Sequence, residues 1–158
     1  SELGLSKLNN LYREVILDHA DHPHNKGALK DATNAITLNN PTCGDEIDLQ
    51  VKVGSDGLID EIGYTGYGCT ISQASASMMT EAVKGKRPDE ALAMAKIFSD
   101  MAIGKDHDQA DLQALGDAQV LTSIMEFPAR IKCATLAWWA LQRALLKDTD
   151  EEDIDDQG

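Results

Sequence analysis

The sequence predicts an α+β domain: a small three-stranded antiparallel sheet with helices packed on one face. Three observations carry that expectation. An amphipathic helical pattern opens the chain, three short strand-like segments joined by turn residues follow between Asn34 and Tyr64, and every later apolar pattern has helical spacing. At 158 residues the chain is the size of one domain and long enough to bury a core without disulfide staples.

Over residues 6–20, Leu8, Leu11, Tyr12, Val15, Ile16 and His19 fall on one side of a helix, with Ser6 available as its cap. The polar stretch Asp21-His22-Pro23-His24-Asn25-Lys26-Gly27 stops it. A strand near Asn34 to Leu38 runs into a turn at Asn39-Asn40-Pro41. Ile47, Leu49, Val51 and Val53 then alternate with Glu46, Asp48, Gln50 and Lys52, the period of a half-buried strand. Gly54-Ser55-Asp56-Gly57 has tight-turn chemistry and Leu58 to Tyr64 completes the third strand, so the simplest arrangement is an antiparallel meander with one wet face.

From Thr70, the residues Ile71, Ala74, Met78, Met79 and Ala82 repeat at helical spacing, and Gly85 ends the run. Pro88 opens the next helix, where its missing N–H costs nothing, and Leu92, Ala95, Ile97 and Phe98 continue it. Residues 104–118, polar and punctuated by Gly104 and Gly116, read as a short helix in a surface insertion. Phe127-Pro128 precede the longest apolar repeat, with Ile131, Ala134, Trp138, Leu141 and Leu145 on the buried face of a closing helix. Trp138 and Trp139 read as core and rim packing, and Met78, Met79 and Met94 as core filling.

Residues 148–158 carry seven acids and no base, more than half of the net charge of −13. The expected organisation is therefore a domain over residues 1–147 and an acidic, disordered tail over 148–158. The charge disfavours nucleic acid, whose phosphates require lysine and arginine, and no apolar run reaches the length that spans a bilayer.

Cys43 in Pro-Thr-Cys-Gly-Asp, Cys69 in Gly-Tyr-Gly-Cys-Thr and Cys133 in Arg-Ile-Lys-Cys-Ala occupy three separate segments, and Asp45 lies two residues after the first. An odd number of thiols argues against a closed disulfide framework, and the lack of an apolar signal segment places the chain in a reducing compartment, the cytoplasm. Three sulfurs and one carboxylate make the ligand count of a tetrahedral metal site. All three cysteines are expected at element ends, where loops and helix starts at one rim of the sheet converge. Gly44 lets the chain turn between Cys43 and Asp45, and Gly66 and Gly68 permit close approach beside Cys69. Helix N-termini at Cys69 and Cys133 favour thiolate, with Arg130 and Lys132 adding compensating charge. The commoner role of a lone cysteine is a small buried hydrophobe, and without a Cys-x-x-Cys pair spacing leaves that reading open. For His19, His22 and His24, caps and loop hydrogen bonds are commoner uses than metal ligation.

Several segments together resemble the U-type iron–sulfur cluster assembly proteins, the group of IscU, the N-terminal part of NifU, and SufU. They are Leu11-Tyr12 to Asp18-His19 with Pro23, Asn25 and Gly27; Asn40-Pro41-Thr42-Cys43-Gly44-Asp45; Gly66-Tyr67-Gly68-Cys69-Thr70-Ile71-Ser72; and Lys132-Cys133-Ala134-Thr135-Leu136-Ala137-Trp138. The resemblance covers roughly Leu8 to Leu146. It implies the SufE/NifU-like α+β fold, with the cysteines and Asp45 gathered at one exposed end. It also implies sulfur delivered by a pyridoxal-phosphate cysteine desulfurase.

Two departures select a branch. Scaffold-type IscU proteins place a histidine before the last cysteine and carry a Leu-Pro-Pro-Val-Lys segment; here Lys132 and Glu126-Phe127-Pro128-Ala129-Arg130 stand in those places. With the longer stretch between Cys69 and Cys133, these features are similar to SufU. That branch implies Zn²⁺ held by Cys43, Asp45, Cys69 and Cys133. It further implies a sulfur acceptor that serves a SufS-type desulfurase and downstream apo-proteins and has no turnover of its own. Cys43, on the most flexible turn, is the expected acceptor. The alternative is a scaffold on which an iron–sulfur cluster is assembled by the same four residues.

Overall fold

A computed structural model describes residues 10–146, together with the backbone of Glu152 and Asp153. Helix α1 spans Asn10–Asp21 and buries Ile16 and His19. Leu11, expected on that face, is 66% exposed. At about 100° per residue it stands about 140° around the helix from Ile16, outside the narrow stripe that packs inward. Ser6 and Leu8 lie outside the described residues.

The sheet is the expected meander. Strands β1 (Asn34–Asn40), β2 (Asp45–Val53) and β3 (Ile59–Tyr67) pair antiparallel, with Leu38 opposite Ile47 and Leu49 opposite Tyr64. Period-two burial puts Ile36, Leu38 and Asn40 of β1 and Asp45, Ile47, Leu49 and Val51 of β2 on the covered face. Two strands run further than expected. β1 continues to Asn40, moving the turn to Pro41–Gly44, and β3 continues to Tyr67. Both extensions follow from pairing, Asn40 with Asp45 and Tyr67 with Glu46. A two-residue strand β4, Glu152–Asp153, pairs parallel to Leu38–Asn39 and makes the order β3-β2-β1-β4. The rest of the acidic segment 148–158, and with it the expected domain boundary, lies outside the described residues.

Helices α2 (Thr70–Val83), α3 (Pro88–Ala102), α4 (Gln109–Ala114) and α5 (Pro128–Leu145) follow. Helix α5 packs on β1 and β2 and also against α2 and α3. Its residues Cys133 through Trp138 are buried without interruption, so it is a central helix with a face wider than a single stripe. Phe98 stacks on Trp138 with ring centroids 4.8 Å apart.

The insertion differs most from expectation. Helix α4 buries nothing, but a 3-10 helix, Gly116–Glu126, follows and faces the core. Leu115, Ala118, Leu121 and Ile124 are all buried. Their spacing of three is the period at which a 3-10 helix aligns side chains on one edge.

Candidate metal centre

The site begins at the β1–β2 turn. The carbonyl of Asn40 accepts the Cys43 N–H at 3.2 Å and the Gly44 N–H at 2.8 Å, closing the turn tightly. Gly44 has φ +76°, a conformation costly for any residue with a Cβ, and it is what lets Cys43 and Asp45 turn toward a common point. Cys43 is exposed at the tip, whereas Asp45, the first residue of β2, is 2% exposed.

Pairing of Glu46 with Tyr67 lays the start of β2 beside the end of β3, so the chain enters α2 next to Asp45. Cys69 immediately precedes α2 and is half-buried; its backbone N–H donates to Asp45 Oδ1 at 3.2 Å. Cys133 arrives from α5 and is fully buried.

One sulfur or oxygen from each of Cys43, Asp45 and Cys133 lies within 4.8 Å of the others. Cys69 stands outside that trio but shares a hydrogen bond with Cys133. Cys133 is thus the hub, with Cys69, Cys43 and Asp45 all within hydrogen-bonding reach of its thiol. The four residues named from sequence do come together at one end of the sheet.

Their protonation differs from the expectation of two thiolates at helix starts. The Cys69 thiol is lowered to about 5, chiefly by the hydrogen bond from Cys133 and then, against the cost of burial, by backbone N–H groups of Ser72 and Ile71 at the start of α2. Cys133 is pushed up by that same hydrogen bond to Cys69, by burial, and by the negative charges of Cys69 and Asp45. Helix α5 begins at Pro128, so Cys133 sits in its second turn and misses the exposed amide groups of the first. Without metal, their shared hydrogen bond therefore favours thiolate at Cys69 and thiol at Cys133. Burial, followed by the Cys69 charge, raises Asp45; the Cys133 and Cys69 hydrogen bonds and the charge of Arg130 oppose the rise. Lys132 is half-buried on α5.

The donor set fits a thiophilic divalent ion. Asp45 Oδ2 is buried without a hydrogen-bond partner among the protein atoms, an arrangement that costs about 1–3 kcal/mol unless something accepts its lone pairs. A cation would do so, and by stabilising the Cys133 thiolate would release its proton to solvent. Gly68 belongs to the site as well, because a Cβ there would stand 2.6 Å from Asp45 Oδ1. Sequence reasoning missed Ser72, which donates from Oγ to the Cys69 carbonyl at 3.0 Å and helps hold the thiolate. Its place three residues after Cys69, in the first turn of a helix, was the available signal.

The NifU-like N-terminal domain family matches residues 11–147. An iron–sulfur cluster assembly scaffold protein IscU from Streptococcus pyogenes serotype M1 is 49% identical over 98% of this chain and 95% of its own length. The zinc-dependent sulfurtransferase SufU of Bacillus subtilis is 50% identical over 90% of this chain and 95% of its own. A crystal structure of a hypothetical protein, 50% identical, superposes with a TM-score of 0.80 over 88% of this chain and 99% of that one.

Proposed function

The chain belongs to the NifU-like N-terminal domain family, and from that membership we propose that it works in iron–sulfur cluster assembly as a zinc-bound acceptor of persulfide sulfur. Cys43, Asp45, Cys69 and Cys133 would hold the Zn²⁺, which when bound keeps the sulfurs deprotonated and shields them from oxidation. The carrying observation is the uneven burial of the four donors. Cys43 alone is exposed, on a turn with a left-handed glycine, while Asp45 and Cys133 are buried.

That arrangement suits transfer. Cys43 Sγ attacks the terminal sulfur of a persulfide on a cysteine desulfurase of the SufS type. The S–S bond of the desulfurase breaks, a new one forms on Cys43, and the electron pair leaves on the desulfurase cysteine as its thiolate. Arg130 supports the step by offsetting negative charge at Asp45. Sulfur would pass on to downstream apo-proteins, and the reducing cytoplasm is the compartment this chemistry requires. Among the described residues no helix is long and apolar enough to cross a membrane.

Desulfurase turnover with and without Cys43→Ala tests the reading, with intact-mass detection of a sulfur adduct on the chain. Stimulation by the wild type, lost in the variant together with the adduct, is expected. Equal stimulation by both proteins would refute the assignment of Cys43. A second reading, a scaffold that builds the cluster on the same residues, is favoured by the relative named IscU at 49% identity. Anaerobic reconstitution with iron and sulfide separates the two, since a stable visible absorbance that displaces zinc belongs to the scaffold alone.

A further inference from the structure

A second group of metal-ligating side chains lies on other elements, away from the cysteines. His19 on α1, His24 in the α1–β1 loop, Glu81 on α2 and Asp117 in the 3-10 helix meet there. His19 Nε2 is 2.8 Å from Asp117 Oδ2, and His24 Nδ1 is 2.6 Å from Glu81 Oε2. One ligand atom from each of His19, Glu81 and Asp117 lies within 4.8 Å of the others; His24 stands outside that trio and joins it through Glu81, its ring centroid 4.8 Å from that of His19. We propose that these four residues form a second site for a borderline divalent cation, with the chemistry of Zn²⁺, separate from the thiolate centre.

Three features point to a cation beyond the mere nearness of two acids. First, one hydroxyl orients the His19 ring in advance and also pins the backbone at His24. Ser77 Oγ lies 2.7 Å from His19 Nδ1 and accepts the His24 backbone N–H at 2.8 Å. A hydroxyl on one ring nitrogen, with the other nitrogen aimed at the ligand position, is the outer-shell arrangement that metal-binding histidines use. Second, His19 is 2% exposed, so its ring is fixed by packing, whereas His24, Glu81 and Asp117 are partly open and leave an ion a route in. Third, the donor chemistry selects a class. Two imidazoles and two carboxylates suit Zn²⁺ or Fe²⁺; Mg²⁺ and Ca²⁺ prefer all-oxygen shells, and Cu(I) prefers sulfur. Two carboxylate charges neutralise a divalent ion. An ion held here would clamp α1 and the 3-10 helix onto α2.

Equilibrium dialysis of the full chain against Zn²⁺, with elemental counting, is paired with Co²⁺ spectra of the wild type and of an Asp117→Asn/Glu81→Gln variant. Both substitutions are isosteric and partly exposed, and a thermal melt without metal verifies that the variant folds. Expected is a second equivalent in the wild type. The variant should bind it more weakly by over the about 10–100-fold that losing an outer-shell partner costs. The intense thiolate-to-cobalt band should stay unchanged, because it reports the cysteine site alone. A single equivalent carrying that band, or a second equivalent that survives the double variant, overturns the proposal. A single equivalent without the band and lost in the variant supports this site and sinks the thiolate one instead.

Discussion

Replacing Gly68 with alanine tests whether Asp45 belongs to the metal centre without touching a donor. The backbone at Gly68 lies outside the left-handed region, so alanine is tolerated there and only the added methyl acts. That methyl would stand 2.6 Å from Asp45 Oδ1 and 2.9 Å from Cγ, about 0.8 Å short of the 3.4 Å at which ordinary contact with Oδ1 begins. It also meets the Ser72 hydroxyl, which can rotate about one torsion only by giving up its hydrogen bond to the Cys69 carbonyl. Asp45 cannot yield so easily, because it is buried, paired to Asn40 through β1 and tied to the Cys69 N–H at 3.2 Å. Overpacking of this kind costs about 1–3 kcal/mol. The expected result is a loss of that size in the urea-unfolding stability of the metal-free protein. Zinc affinity, read by chelator competition, should fall at least about tenfold, equivalent to 1.4 kcal/mol. In an Asp45→Gly background only the Ser72 contact remains, so the share of the penalty that vanishes there is the share that acts through Asp45. Wild-type zinc affinity in Gly68→Ala, or an equal penalty in both backgrounds, would show that the methyl does not act through Asp45.

Two further outcomes follow from the insertion. Leu121 is fully buried, so Leu121→Ala should cost about 2–5 kcal/mol in urea unfolding, whereas a solvated surface loop would lose under about 0.5 kcal/mol. His107 lies 2.9 Å from Asp111 and 3.0 Å from Asp100, and these hydrogen bonds, Asp111 first, raise it above the ordinary 6.5. A raised histidine stabilises fully below its unfolded value and loses that contribution as pH climbs through the folded one. Hydrogen exchange across residues 109–114 should therefore quicken beyond its intrinsic pH dependence above 6.5, and His107→Gln should flatten the change; identical profiles for the two proteins would refute the link.

Much of the fold was legible because its signals are local. The alternation from Glu46 to Val53 could only be a half-buried strand, and Pro88 and Gly85 mark a helix start and a helix end. The strand ends were not legible. Asn39 and Asn40 have turn chemistry, yet pairing with Glu46 and Asp45 holds them in β1 and buries Asn40; partner geometry overrides preference there. The 3-10 helix was hidden differently. Leu115, Ala118, Leu121 and Ile124 carry its period of three, but Gly104, Gly116 and the surrounding acids give the segment the composition of a loop. For the site, Cys43, Asp45 and Cys69 stand at element ends as their glycines and turn residues suggest. Cys133 does not, and neither its burial nor its hydrogen bond to Cys69 could be read from flanking Arg130 and Lys132.

The burial of Cys133 also bears on how the centre works. A site made only of exposed loop donors would release its ion and its thiols together, and one made only of buried donors would expose no sulfur to a partner. Here the hub thiol is locked in a central helix, Asp45 is locked in the sheet, and Cys69 is held by the first turn of α2. Cys43 alone hangs on a turn closed by two hydrogen bonds to Asn40. Displacing it would give up its contact with the Cys133 thiol but no buried packing of its own, so in the proposed centre the remaining three donors would keep their places while one sulfur is presented outward. In the proposed centre the division between three anchored donors and one exposed donor would thus be set by the fold itself, because it follows from which side chains the sheet and helices enclose and which the β1–β2 turn leaves in solvent.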